Sequence, residues 1–207
     1  MIALLVVNTI QGQTRTGFEG YYYTGCSANS ALVPRVYFRS GSNWYGEARY
    51  NYESGQTLSL YAGHSFSHEK DLTWSVTPMV GVVAGKFRGV SPGANATLEI
   101  QRVSLSSTLQ YTASARNSDE SFFFGWTELG YHLTDHLYAG AVLQQTGFCK
   151  NHSSLDPGLQ LTFSAGAWQI PVYVFSPQGA QRYWVLGVSR EWVYGKPINH
   201  AKPTTTP

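Results

Sequence analysis

From residue 17 to residue 192 the chain alternates apolar and polar side chains with period two, in stretches broken by clusters of Gly, Asn, Asp, Ser or Pro. Period two sends successive side chains to opposite faces of a strand, whereas a helix repeats every ~3.6 residues. The alternation predicts strands over 17–24, 33–40, 43–53, 56–68, 71–82, 86–100, 102–114, 121–133, 136–147, 155–164, 167–176 and 181–192. Twelve strands joined by short connections predict an all-β, up-and-down antiparallel meander, with ten strands as the fallback if the first is not formed. Pro78 and Pro171 fall inside otherwise regular strands. A closed sheet has no edge where a missing N–H goes unnoticed, so each proline should mark a bulge or local break.

The two faces differ in kind. In 43–53, Trp44, Gly46, Ala48, Tyr50 and Tyr52 share one face, and Tyr45, Glu47, Arg49, Asn51 and Glu53 the other. Leu58, Leu60, Ala62 and Phe66 oppose Thr57, Ser59, Tyr61, Ser65 and Ser67; Val103, Leu105, Leu109 and Tyr111 oppose Ser104, Ser106, Thr108, Gln110 and Thr112. Trp168, Ile170, Val172 and Val174 oppose Gln169, Pro171 and Tyr173, while Trp184, Leu186, Val188 and Trp192 oppose Tyr183, Ser189 and Glu191. A soluble barrel or sandwich would show Lys and Glu on its polar face. Here that face is Ser, Thr, Gln, Tyr and Gly, and all five lysines (Lys70, Lys86, Lys150, Lys196, Lys202) lie at strand ends, in turns or near the carboxyl end. Lipid on the apolar face, aromatic girdles at both interfaces and polar residues in the lumen describe a transmembrane β-barrel.

Composition sharpens this reading. Charged residues are 13% of the 207, about half the ~25% usual for soluble domains, and aromatics are 14%. No apolar run approaches the ~20 residues of a membrane helix. The net charge of +2, with its basic residues scattered, excludes nucleic-acid binding. The apolar run Met1 to Val7 is expected to be the remnant of an export signal over 1–13, with a hydrophobic first strand as the alternative. The barrel is then expected over 14–192 and a flexible periplasmic tail over 193–207. With the amino end in the periplasm, the longer or more polar connections, 25–32, 115–120, 148–154 and 177–180, all face outward, and short ones such as Gly41-Ser42, Thr134-Asp135 and Gly166 face the periplasm. That asymmetry and an even strand count suit a bacterial outer-membrane barrel.

Three segments carry a resemblance. Asn43-Trp44-Tyr45-Gly46-Glu47-Ala48-Arg49-Tyr50-Asn51-Tyr52-Glu53, Phe124-Gly125-Trp126-Thr127-Glu128-Leu129-Gly130-Tyr131 and Tyr183-Trp184-Val185-Leu186-Gly187-Val188-Ser189-Arg190-Glu191-Trp192 resemble small outer-membrane β-barrel proteins of Bacteroidota-type bacteria. The resemblance covers about residues 17–192. It implies a fold and a location, and little about activity.

The candidate chemistry is concentrated on the inward face. Arg35 and Arg39 on one strand oppose Glu47, Arg49 and Glu53 on the next, and Glu19, Glu99, Glu128 and Glu191 share the inward orientation. Arg at the midplane of the lipid face costs about 2–4 kcal/mol, so these groups belong in the lumen, where they must be paired or hydrated. Trp44, Tyr50, Tyr52, Trp168, Trp184 and Trp192 are then expected as the aromatic girdle. Twelve strands at ~4.8 Å spacing and ~45° tilt enclose a backbone cylinder roughly 25 Å across, leaving about 10 Å between inward side chains. Arg and Tyr can fill that space, so an ion-pair and aromatic network with at most a narrow channel is expected.

Histidine chemistry is weaker. In Gly63-His64-Ser65-Phe66-Ser67-His68-Glu69 the nearest serine points away from His64, which disfavours a hydrolase of the membrane interface. No nucleophile elbow, phosphate loop, zinc spacing or calcium loop occurs. The expectation is a non-enzymatic channel or envelope scaffold with no cofactor and no metal. Its partners would be the lipid bilayer, lipopolysaccharide and an envelope protein. The alternatives are a lipid-modifying enzyme and a soluble ligand-binding barrel. Cys26 and Cys149 could pair in an oxidising compartment, though two isolated thiols fit their turn-like surroundings better.

Overall fold

The computed structural model describes residues 13–25, 30–148, 153–179 and 182–195. All but the last residue of the expected export segment, the cysteines Cys26 and Cys149, and the tail beyond residue 195 lie outside the described residues. The chain folds as twelve antiparallel strands: β1 (Thr14–Gly25), β2 (Ala31–Arg39), β3 (Trp44–Tyr50), β4 (Thr57–His64, resuming as Phe66–His68), β5 (Leu72–Gly85) and β6 (Gly89–Ile100), then β7 (Val103–Ser114), β8 (Phe122–His132), β9 (Leu137–Phe148), β10 (Ser154–Ala165), β11 (Trp168–Phe175) and β12 (Tyr183–Tyr194). Each strand pairs with its neighbours in sequence. The sheet closes where β1 runs along β12 from Thr14↔Tyr194 to Gly25↔Tyr183. Closure removes the free edges that would otherwise leave backbone groups unpaired in a bilayer.

Three departures from the sequence expectation have local causes. Strand β3 stops at Tyr50 because Asn51 adopts φ 59°, and its side chain takes over the turn by accepting from the Gln56 N–H (2.7 Å) and donating to the Leu32 carbonyl (3.0 Å). Strand β4 is interrupted at Ser65, opposite the segment of β5 that holds Pro78. The Ser65 N–H turns to the Asn43 carbonyl (2.8 Å), and the Ser65 and Thr77 hydroxyls share a hydrogen bond of 2.8 Å across the gap. At the carboxyl end β12 continues past residue 192, with Val193 opposite Arg15 and Tyr194 opposite Thr14, so the barrel takes in the first two residues expected of the tail.

Pro171 behaves like Pro78: pairing of β11 with β12 holds at Gln169↔Ser189, lapses, and resumes at Val172↔Leu186. Pro92 produces the same lapse between β6 and β7, bridged by a buried Ser91–Thr112 hydroxyl pair at 2.9 Å. A proline cannot donate to the ladder, and beside Pro78 and Pro92 neighbouring hydroxyls supply a cross-strand bond instead.

The outer surface is apolar. Leu58, Leu60, Val80, Val82, Leu159 and Leu161 stand 47–58% exposed, while their inward neighbours Ser59, Tyr61 and Gln160 are buried. A belt of this kind has no counterpart on soluble monomers and marks a membrane-spanning barrel. Trp44, Trp168 and Trp192 ring the end where β1 begins and β12 finishes, hereafter the terminal end; Tyr50 and Trp184 ring the distal end. Among the described residues, complete connections at the terminal end cover 40–43, 69–71, 101–102, 133–136 and 166–167, against 51–56, 86–88 and 115–121 at the distal end. The distal connection 115–121 holds a single 3₁₀ turn, Ser118–Glu120, capped by the Asn117 side chain.

Candidate functional site: the lumen

Alternation sends every second residue inward, and the inward residues of different strands meet in a charged wall, a facing aromatic wall and the terminal mouth. Along the wall, Tyr37 lies over Gly17 and Tyr61 over Gly81, each directly across the ladder. A Cβ at Gly17 would come within 2.1 Å of the Tyr37 ring, so the glycine makes room for the tyrosine to lie flat.

Midway along the barrel, β1 to β4 carry a connected charge network. Arg35 pairs with Glu19 (3.2 Å) and Glu47 (2.9 Å) and donates to the Tyr45 hydroxyl (3.1 Å). Tyr45 and the Arg49 Nε also donate to Glu47. Arg49, 1% exposed, reaches Gln110 on β7 through Nη1 and lies 3.8 Å from Glu53, its guanidinium held between the rings of Tyr52 (4.2 Å) and Tyr61 (4.4 Å). Glu53 accepts from Tyr61 (2.8 Å) and from Ser59. Every charge in this group has an opposite charge and neutral donors or ring faces around it, which is the condition for holding ions away from bulk water.

The facing wall is aromatic. Val142, Tyr173, Phe175 and Val185 are buried together, with Tyr21, Tyr23, Trp126 and Tyr183 packed against them. Trp126 meets Tyr173 and Phe175 edge-on, both at 5.2 Å, and Phe175 stacks on Tyr183 at 4.8 Å. Glu128 sits in this wall. It accepts from the Trp126 indole N–H (2.6 Å) and the Tyr173 hydroxyl (3.0 Å).

At the terminal mouth Arg15 donates to Glu191 (3.3 Å), which also accepts from Tyr37 (2.8 Å). The ladder sets Arg39 directly opposite Arg15, and Arg39 has no ion pair within 4.0 Å among the described residues. Glu99 lines the same mouth, with no ion pair within 4.0 Å among the described residues. The structure therefore gathers Arg35, Glu47, Arg49 and Glu53 into one network, adds Glu19 and Gln110 to it, and leaves Arg39, Glu99, Glu128 and Glu191 outside it.

The expected girdle residues divide. Trp44 (63% exposed), Tyr50, Trp168 and Trp184 face outward. Trp192 faces outward on β12 and, with Trp168, flanks the Arg190 guanidinium at 5.0 and 4.9 Å. Tyr52 corrects the expectation. The left-handed turn at Asn51 breaks the alternation, and Tyr52 lies inside, edge-on to Phe124 at 5.3 Å and beneath Arg49. Gln110 and Tyr173 stand on inward faces by the same period-two rule, but a residue's face does not say which distant strand it will meet, and Gln160 and Trp126 were not singled out.

Two cavities lie in the lumen among the described residues. The larger, about 580 Å³, is walled by serine, threonine and tyrosine hydroxyls together with Arg15, Glu19, Arg35, Arg39, Glu99, Glu128 and Glu191. The smaller, about 280 Å³, lies toward the distal end between Asn51, Glu53, Phe122, Gln144 and Phe148. Tyr23, Val33 and Tyr52 line both and form the waist between them.

No protein-family model matches the chain, and no curated protein matches its sequence. Solved structures do resemble it in shape. A KdgM porin in complex with disordered oligogalacturonate aligns with TM-score 0.58 at 12% identity, covering 85% of this chain and 98% of its own. A second KdgM porin structure aligns with TM-score 0.57 at 11% identity, covering 84% and 98%. At such identity the likeness speaks to the fold, a closed membrane β-barrel.

Proposed function

We propose that the chain is a non-enzymatic, narrow channel of the bacterial outer membrane, passing small polar solutes through the lumen, with both termini on the periplasmic side. The observation that carries this reading is the pair of cavities, about 580 and 280 Å³, that share the waist of Tyr23, Val33 and Tyr52. A barrel whose interior served only as packing would fill its middle with side chains. Here the larger cavity is walled by hydroxyls and charges that would suit a hydrated solute. The porin fold of the KdgM neighbours supports the reading, and short connections at the terminal end support a periplasmic placement of that end.

Oligogalacturonate, held by that neighbour, is a polyanion. At mid-barrel this chain sets two guanidiniums, Arg35 and Arg49, against the carboxylates of Glu19, Glu47, Glu53 and Glu128, which argues against the same ligand here. A lipid-modifying enzyme built on His64 is disfavoured. The His64 ring lies between Trp44 and Phe66 (5.5 and 5.0 Å), while Ser65 bonds Thr77 on the inward side.

Reconstitution into planar bilayers tests the reading: small, discrete conductance steps are expected from the purified protein. A membrane-inserted, heat-modifiable protein that gives no steps would replace the channel by a plugged scaffold. Labelling of a cysteine introduced in 115–121 on intact cells, with none at 101–102, checks the orientation.

A further inference from the structure

We infer that Glu128 and Gln160 form, with the rings of Trp126, Tyr173 and Tyr21, a luminal binding site for a primary alkylammonium ion; the inference rests on the channel reading and names its solute class. Glu128 is held by neutral partners, the Trp126 indole and the Tyr173 hydroxyl, and Gln160 stands directly across the ladder from Tyr173. Among the described residues, no Lys, Arg or His nitrogen lies within 4.0 Å of it. The mid-barrel guanidiniums are committed elsewhere, Arg35 to Glu19 and Glu47, Arg49 to Glu47 and Glu53. A carboxylate set in an aromatic wall without a counterion is the arrangement least favoured in an empty site and most improved by an incoming cation.

Gln160 provides an independent pointer. It is 6% exposed, lines the same cavity, and its Oε1 has no hydrogen-bond partner. Buried acceptors are almost always satisfied, so an orphaned one beside a carboxylate calls for a donor from outside the chain. The surrounding rings suit a cation as well. Tyr173 stands 5.2 Å from Trp126 and 6.4 Å from Tyr21, so π faces and the carboxylate belong to one patch of wall.

The donor set chooses among cations. Divalent metals want six or more oxygens or a cluster of His, Cys, Asp and Glu, and no group of three such residues gathers among the described residues. A quaternary ammonium would satisfy the rings and the carboxylate but has no N–H for Gln160. A primary ammonium has three N–H donors, enough for Glu128 and Gln160, with its alkyl stem against the rings.

Isothermal titration of the full chain, folded in detergent micelles, with n-butylammonium chloride tests this. Saturable binding is expected, weakened about tenfold or more by Glu128→Gln and several-fold by Gln160→Leu, with tetramethylammonium binding several-fold more weakly than n-butylammonium. Equal affinity in wild type and Glu128→Gln, or no preference between the two ammonium ions, would overturn the site. If Glu128→Gln does not fold, Gln160→Leu and the comparison of the two ions on wild-type protein decide. Bilayer reversal potentials under a KCl gradient separate the two proposals. Cation selectivity that falls in Glu128→Gln but is kept in Glu99→Gln supports both. Binding without conductance removes the channel and keeps the site, while conductance with anion preference keeps the channel and removes the site.

Discussion

The two walls of the lumen face each other at the same depth and fill space by opposite means. On β1 to β4, Arg35 and Arg49 are tied to Glu19, Glu47 and Glu53, so that charge is cancelled locally. On β8, β11 and β12, together with the inward tyrosines of β1, Trp126, Tyr173, Phe175 and Tyr183 fill the same level with rings, and the one ionisable carboxylate among them, Glu128, is met by neutral donors. The difference teaches that the number of charges in a lumen does not set its field. Paired groups act as packing material, and the unpaired ones, fewer and less conspicuous, face the solute.

The charged wall should be the more fragile. Arg49→Met leaves Glu47 buried against a side chain that offers it no donor, and is expected to lower stability by about 3–5 kcal/mol. The urea midpoint of the heat-modifiable band reads this directly. Removing both charges in Glu47→Leu/Arg49→Met should recover part of the loss, because Glu47 is no longer left short of a donor, while Glu53 still loses its ion pair to Arg49. A double variant as unstable as the two single losses added together would mean that the pair is not coupled. In the aromatic wall Phe175, fully buried, should cost about 3–4 kcal/mol as Phe175→Ala but under ~1.5 kcal/mol as Phe175→Leu, since rings tolerate an apolar substitute. If Phe175→Leu proved as damaging as Arg49→Met, the contrast between the walls would fail.

Much of this was legible in the sequence, and the exceptions are informative. Period-two alternation carried the strand positions of β5 to β11 and the in/out assignment of Leu58, Val103 and Trp184, because a one-residue slip would turn each apolar side chain into the lumen. Pro78 and Pro171 announced the places where pairing lapses. Tyr52 was misassigned because alternation counts residues and does not register a left-handed turn, which Asn51 is one of the few residue types to favour. Arg39 was expected in the network with Arg35, yet the register sets it opposite Arg15, and register between strands is a property of the pair. Trp126 looked like one more aromatic. In a membrane barrel rings suit both the lipid interface and the lumen, so residue type alone does not separate the two.

Smaller effects sharpen the picture. Tyr52→Ala removes a ring from the waist and from beneath Arg49, and should cost about 1–2 kcal/mol while raising single-channel conductance. Unchanged conductance would move the constriction elsewhere. Arg190→Ala, which takes a half-buried guanidinium from between Trp168 and Trp192 on the outer face, should cost about 0.5–1 kcal/mol in urea titration. Arg39→Ala, with no ion pair to lose, should change stability by no more than about 0.5 kcal/mol. A loss as large as that of Arg49→Met would show that pairing is not what distinguishes the two arginines.

The account stands on which face of each strand meets lipid, and a nitroxide scan of β10 tests it most directly. Labels introduced singly from residue 159 to residue 164 in protein reconstituted into lipid vesicles report oxygen and aqueous-relaxant accessibility by electron paramagnetic resonance. The expected result is strict alternation: oxygen-accessible, relaxant-protected labels at Leu159, Leu161 and Phe163, and the reverse at Gln160, Thr162 and Ser164. Lipid-type signals at 160, 162 and 164 with a polar environment at 159, 161 and 163 would turn the barrel inside out and contradict both the channel and its luminal site.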